Sequence, residues 1–154
     1  MFMPCLHLDL RKMTDIFSVE ERSLIMSRVK NRDTSPEKLV RGFLHKMGFR
    51  YRLHVKKLPG NPDIVLPRHK KIIFVHGCFW HGHKDCSRAT RPTSNIDFWN
   101  TKIDGNIRRD FQIREKLKSL GWNVLIIWQC QTRNKNILLD ILEKFMLHRE
   151  DETV

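Results

Sequence analysis

The sequence predicts an α/β fold in which a mixed sheet is covered by helices on both sides. Three observations carry this expectation. Two stretches, 35–47 and 95–120, repeat apolar residues at helical spacing and each runs into a glycine. Short apolar runs at 63–66 and 71–76 flank a four-residue turn, as the strands of a hairpin do. The run 122–128 is apolar at almost every position, which suits a strand buried on both faces, central or parallel in the sheet.

In chain order, residues 1–16 read as a flexible arm, 17–148 as a single domain and 149–154 as a polar tail. Ser18 and Glu21 have the spacing of a capping box, opening a short helix to about residue 30 with Leu24, Ile25 and Met26 as its apolar patch. Its basic face (Arg22, Arg28, Lys30, with Arg32 beyond) reads equally as solvated surface or as phosphate contact. Ser35 is the expected N-cap of the second helix, with Pro36 in the first turn, where its missing N–H costs nothing. Leu39, Val40, Phe43, Leu44 and Met47 form that helix's core face, and Gly48 ends it. Glu37 lies in the first turn, where a carboxylate complements the helix dipole.

Residues 49–55 alternate like a half-buried strand, and 56–62 form a turn rich in Pro and Gly. The hairpin follows, its strands joined by Pro67, Arg68, His69 and Lys70. The long helix 95–120 shows Ile96, Trp99, Ile103, Ile107, Phe111, Leu117 and Leu120 along one face. Gly105 weakens its middle by about 1 kcal/mol relative to Ala. Residues 134–147 make a closing amphipathic helix, and no internal repeat is visible.

Composition narrows the function. The 154 residues suit one ordinary domain, with 40% hydrophobic and 30% charged residues. No apolar run approaches the roughly 20 residues of a membrane helix, and the N-terminus does not read as a secretory signal. Lys and Arg total 29 against 17 Asp and Glu, a net charge of +12. That field favours nucleic acid as partner over a membrane, since no basic amphipathic helix with a bulky apolar face stands out. Without a secretion signal the cysteines read as metal ligands in a reducing cytosol, and Cys5 as a free thiol in the arm.

Chemistry concentrates in residues 63–86. Zinc takes four thiolate or imidazole ligands in a tetrahedron, and Cys78, His83, Cys86 and Cys130 would make a closed structural site. The spacing Cys-x4-His-x2-Cys matches no common finger, and buried unliganded cysteines with incidental histidines are the competing reading. His76 and His81 then remain, expected close to Asp63 across the hairpin. A carboxylate can hold Mg2+ and a neutral histidine can take a proton from water, which together make a phosphodiester hydrolase. The alternative is that Asp63 caps a turn and the histidines support the zinc. Phe79 and Trp80 share a polar, glycine-bearing loop and suggest wedges that enter a base step, with core packing the plainer alternative; Trp99 fits either role.

The segments Leu58-Pro59-Gly60-Asn61-Pro62-Asp63, FVHGCFWHGH at 74–83 and GWNVLIIWQC at 121–130, together with KNRDTSPE at 30–37 and Phe98-Trp99, closely resemble the very-short-patch (Vsr-type) mismatch-repair endonucleases. The resemblance runs from about Ser18 to the end of the closing helix. It implies a restriction-endonuclease-like fold with a structural zinc site. It also implies a bacterial, cytoplasmic, nucleoid-associated enzyme, monomeric, that nicks DNA 5′ to the T of a T:G mismatch left by 5-methylcytosine deamination. By the same resemblance Asp63 binds Mg2+, assisted by the backbone carbonyl of Val75. His81 transfers the proton with His76 as its partner, and Glu37 takes part near the active site. Cys78, His83, Cys86 and Cys130 fall on zinc ligands. Phe79, Trp80 and Trp99 fall on the wedge aromatics, and Met26 on a residue entering the other groove. Loading by mismatch-repair accessory proteins follows by analogy.

Three departures from the family pattern stand out. Val75 stands where members can carry Thr. Gly82 and Lys84 replace histidines of a well-studied member. Lys84 and Asp85 place two residues between His83 and Cys86, one more than in that member. Two other functions compete: a restriction-type nuclease cutting both strands, and a non-catalytic, zinc-stabilised DNA-binding protein.

Overall fold

The computed structural model describes residues 24 and 32–147. The predicted arm, the first helix with Ser18 and Met26, and the polar tail lie outside the described residues, Leu24 excepted. The chain divides into two compact units, Met1–Asn31 and Arg32–Val154, and everything below concerns the second.

Helix α1 (Ser35–Lys46) is capped one residue earlier than expected. Thr34 has extended backbone angles, its hydroxyl accepts from the Glu37 N–H, and the Glu37 carboxylate accepts from the Thr34 N–H. This is a capping box of the Thr-x-x-Glu form, so Ser35 is the first helical residue and not the cap. Gly48, at φ +86, takes the left-handed conformation that closes the helix after Met47.

Strand β1 is Arg52–Leu53 alone, much shorter than the predicted 49–55. The chain leaves extended geometry at His54, whose φ is 47, which ends the strand. Phe49 and Tyr51 still pack against the core, and that packing produced the alternation. Strands β2 (Ile64–Leu66) and β3 (Lys71–His76) form the expected antiparallel hairpin, pairing Ile64 with Ile73 and Leu66 with Lys71. The turn Pro67–His69 closes at Lys70 in the left-handed region.

Helix α2 (Ile96–Ser119) buries Trp99, Ile103 and Leu117, but Ile96, Ile107, Phe111 and Leu120 of the predicted face are exposed. Ile107 and Phe111 lie in the middle of the helix, between the buried Ile103 and Leu117, whereas length accounts for Ile96 and Leu120 at its two ends. Twenty-four helical residues span roughly 36 Å, whereas the six-residue strands beneath reach roughly 20 Å. Gly105 does not interrupt the helix. Strand β4 (Asn123–Trp128) runs parallel to β3, and the strand order is β1-β2-β3-β4. It is thus parallel as expected, yet an edge strand and not a central one; Ile127 is fully buried and its neighbours are half-buried. Helix α3 (Lys135–Leu147) closes the unit, burying Leu138, Leu142 and Met146.

The pleat sorts the core into two layers. Ile64, Leu66, Ile73 and Ile127 pack with Val40 and Leu44 of α1 and with Leu138 and Leu142 of α3. Val65, Ile72 and Phe74 pack on the opposite face with Leu117 of α2. The buried Lys71 ammonium donates to the carbonyls of Phe145 and Met146 at the end of α3, satisfying helix acceptors that would otherwise be orphaned. Among the described residues no helix is long and apolar enough to cross a membrane.

Candidate functional site

The site is built by the parallel register of β3 and β4. His76 pairs with Trp128, and the Gln129 N–H carries the ladder onward to the His76 carbonyl at 2.9 Å. Continuing the same register sets Cys78 opposite Cys130. Between them the loop folds tightly, with His81 N–H donating to the Gly77 carbonyl and His83 N–H to the Cys78 carbonyl. Gly82 sits at φ +59, the left-handed region that favours glycine, and an added Cβ would come within 2.5 Å of the Ile107 side chain on α2, which would have to shift.

The loop delivers Cys78, His83, Cys86 and Cys130 into one cluster, all donor atoms within 4.8 Å of one another. The Cys130 sulfur lies 3.4 Å from His83 Nδ1. Asp85, one of the two residues between His83 and Cys86, adopts a left-handed φ of 56. Three free thiols and an imidazole converging in this way are a donor set that fits Zn2+. Burial pushes the Cys78 thiol up to about 11, whereas the Arg88 backbone amide holds Cys86 below the ordinary thiol value. A divalent cation there would reverse the Cys78 penalty by stabilising its thiolate.

Beside the thiols lies a pair of imidazoles. His76 is buried and its ring stacks on His81, centroids 3.8 Å apart and planes within 13°. Burial first, and then the neighbouring His81, lower the His76 pKa to about 4, so this ring is neutral at physiological pH. His81 Nδ1 lies 2.5 Å from a carboxylate oxygen of Asp110 on α2. Sequence reasoning missed Asp110. It is one of four acids on α2, with Asp97, Asp104 and Glu115, and nothing in the spacing marks it out from the others. The neighbouring Asn106 donates to the Trp80 carbonyl at 2.9 Å and ties the loop to the same helix.

Asp63 immediately precedes β2. Burial raises its pKa to about 6, although one oxygen accepts from the Val75 N–H at 2.8 Å, a bond that acts to lower it. Glu37 raises it further, while His54 and Arg41 oppose the rise. A half-buried carboxyl under this strain, a hard oxygen donor, fits a divalent cation such as Mg2+. The charged neighbours of Asp63 are therefore Glu37, His54 and Arg41, and those of His76 are His81 and Asp110. Asp63 accepts from the amide of the residue just before His76.

Asp33, Glu37 and His54 also converge, but the Arg41 guanidinium fills their centre. It donates to Asp33 at 2.5 Å and to Glu37 at 2.9 Å and lies 3.2 Å from His54 Nε2. Glu37 accepts from the Asp33 and Thr34 amides and the Thr34 hydroxyl as well, so both its oxygens are engaged.

The aromatics form a continuous group. Phe79 packs edge-on against Trp80 and Trp99, with centroids 5.1 and 5.5 Å away. Trp99 is 7% exposed and forms the packed base, Phe79 and Trp80 are half-buried, and Phe98, edge-on to Trp99, is 59% exposed. Met26 lies outside the described residues.

The family model for the DNA mismatch endonuclease Vsr matches residues 14–88. A type II nicking enzyme of Neisseria meningitidis serogroup A is 42% identical over 139 residues, 90% of this chain and 99% of that protein. A type II nicking enzyme of Xanthomonas oryzae pv. oryzae is 48% identical over 119 residues, 77% of this chain and 87% of its own. The DNA mismatch endonuclease Vsr of Escherichia coli is 38% identical over 128 residues, covering 83% and 81% of the two chains.

Proposed function

The chain belongs to the Vsr family of DNA mismatch endonucleases, and from that premise we propose that it nicks duplex DNA 5′ to the T of a T:G mismatch by Mg2+-dependent phosphodiester hydrolysis. The reading is supported above all by the stacked His76–His81 pair, oriented by Asp110, at the strand end where Asp63 binds the preceding amide. The names of the Neisseria and Xanthomonas relatives, both nicking enzymes, favour a single-strand cut over a restriction-type double-strand cut. The fold is read as restriction-endonuclease-like.

Asp63, with the Val75 backbone carbonyl, would hold Mg2+, which supplies charge neutralisation at the phosphodiester and lowers the pKa of water. Asp110 accepts the Nδ1–H of His81, fixing the tautomer that leaves Nε2 free to take a proton from the attacking water. His76, neutral and packed face to face, holds the His81 ring in plane and lines the scissile phosphate. Glu37, with both oxygens occupied, acts on Asp63 through its charge and not as a ligand. Cys78, His83, Cys86 and Cys130 would hold Zn2+ as a cross-link between the loop and the end of β4. Phe79 and Trp80, backed by Trp99, enter the distorted base step from one side, with Met26 from the other.

Strand-mapped cleavage of matched T:G and fully paired duplexes, with magnesium and with EDTA, tests the reading. One nick 5′ to the mismatched T, in magnesium alone, is expected. Equal cutting of both duplexes, or breakage of both strands, would remove mismatch specificity. Asp63→Asn and His81→Ala are expected to abolish nicking and retain binding; wild-type rates in both would exclude the chemistry.

A further inference from the structure

Trp128 has no role in the chemistry described so far, yet it touches both halves of the site. Its indole stacks on His83, centroids 4.1 Å apart and planes within 8°. It also meets His76 edge-on at 5.6 Å and 74°. His76 in turn stacks on His81, and His81 is bonded to Asp110. One unbroken series of ring contacts therefore joins the thiol cluster to the proton-transfer group.

The loop's own hydrogen bonds hold its backbone, but they run through main-chain atoms and do not by themselves set the planes of the His76 and His83 rings. Trp128 comes from another strand. Its backbone is fixed by the parallel pairing with His76 and by the main-chain N–H, which donates to the Gln131 side chain at 2.8 Å, and its ring lies against the His83 and His76 imidazoles. A flat, rigid ring held in this way sets the planes of two imidazoles at once, as aromatic packing favours stacked and edge-on arrangements.

We propose that Trp128 is a positioning residue for the nicking reaction: braced by His83, it fixes the His76 ring and through it the plane of His81. The claim rests on the function proposed above. A group acting through others in this manner is expected to affect turnover more than binding, at the 10–100-fold scale typical of outer-shell partners in metal sites.

Trp128→Leu and Trp128→Phe, made in the full chain, test it through three measurements: T:G nicking kinetics, bound zinc, and NMR nuclear Overhauser effects between the ring protons of His76 and His81. Leu fills the space without a flat face, and Phe keeps one. The Leu variant is expected to fall about 10–100-fold in kcat, with KM for the duplex and zinc content unchanged and the Overhauser effects abolished. The Phe variant is expected to restore kcat and the Overhauser effects together. Wild-type kcat in the Leu variant overturns the proposal. So does a Phe variant as slow as Leu, or a fall in kcat that follows loss of zinc. A wild-type protein that leaves T:G duplex intact sinks the function instead, and the Overhauser effects then decide. Their absence in Leu and survival in Phe supports the role of Trp128, and their survival in both overturns it.

Discussion

Burial holds the Asp63 carboxyl at a pKa of about 6 against an ordinary 3.8, so the folded, metal-free protein binds a proton that the unfolded chain has released. Below 3.8 both states are protonated and Asp63 carries no penalty. As pH rises through about 6 the folded state must ionise it, and stability worth on the order of 1–3 kcal/mol is lost. Asp63→Asn is therefore expected to raise the urea midpoint of metal-free protein at about pH 8 while abolishing nicking, and the gain should disappear toward about pH 4. An equal gain at both pH values would assign it to something other than ionisation. Arg41 is the opposite case. Its guanidinium and the Glu37 carboxylate are both buried and face each other at 2.9 Å. Removing one partner strands the other, so Arg41→Met should cost roughly 3–5 kcal/mol in chemical denaturation. Adding Glu37→Gln, which keeps the capping acceptor without the charge, should recover a large part of it. Wild-type stability in the single variant would show that the pair is not needed. The burial of Asp63 was not legible beforehand. Glu37 and Arg41 stand at i and i+4, a spacing that pairs opposite charges on a helix, yet Glu37 in a first turn reads only as a dipole partner. What spacing could not give is that Asp33 and His54 gather on the same guanidinium.

Between elements, the decisive quantity is register. His76 and Trp128 are paired, and two residues further on the same alignment brings Cys78 to Cys130. That much could be read from sequence, because two cysteines each just beyond an apolar strand fall together if the strands are neighbours. Asp110 could not, since its meeting with His81 depends on how α2 crosses the sheet, and helical periodicity says which face is apolar but not what lies against each turn. The shortness of β1 and the edge position of β4 escaped for a related reason. Side-chain alternation and apolar runs report packing, whereas strand bounds and order depend on backbone partners elsewhere in the chain. The register also brings the thiol cluster to the junction of the loop and β4, where a bound Zn2+ would tie the two together. Cys130→Ser is expected to lower both zinc content and the unfolding midpoint, and chelation of the wild type should reproduce the effect. Freshly purified wild-type protein without zinc would dismiss the tie altogether.

At the scale of the whole molecule, the proposed function divides recognition between charge and wedge. The net +12 acts on any duplex through released counterions, so it supplies affinity without preference. If about half of that charge meets phosphate, affinity should fall by roughly a thousandfold between about 50 and 200 mM salt. The fall should be the same for paired and mismatched DNA. Preference has to come from contacts that a distorted step alone admits. On the proposed function, the Phe79–Trp80 edge, seated on the buried Trp99, supplies those contacts. Base stacking on an aromatic is worth about 1–3 kcal/mol. Trp80→Ala should accordingly reduce the ratio of mismatched to paired binding by roughly tenfold or more while leaving the slope of log Kd against log salt as it was. Titrations of both duplexes at several salt concentrations separate the two effects. A changed slope with an unchanged ratio would mean that Trp80 only shapes the basic surface, and that discrimination resides in another part of the chain.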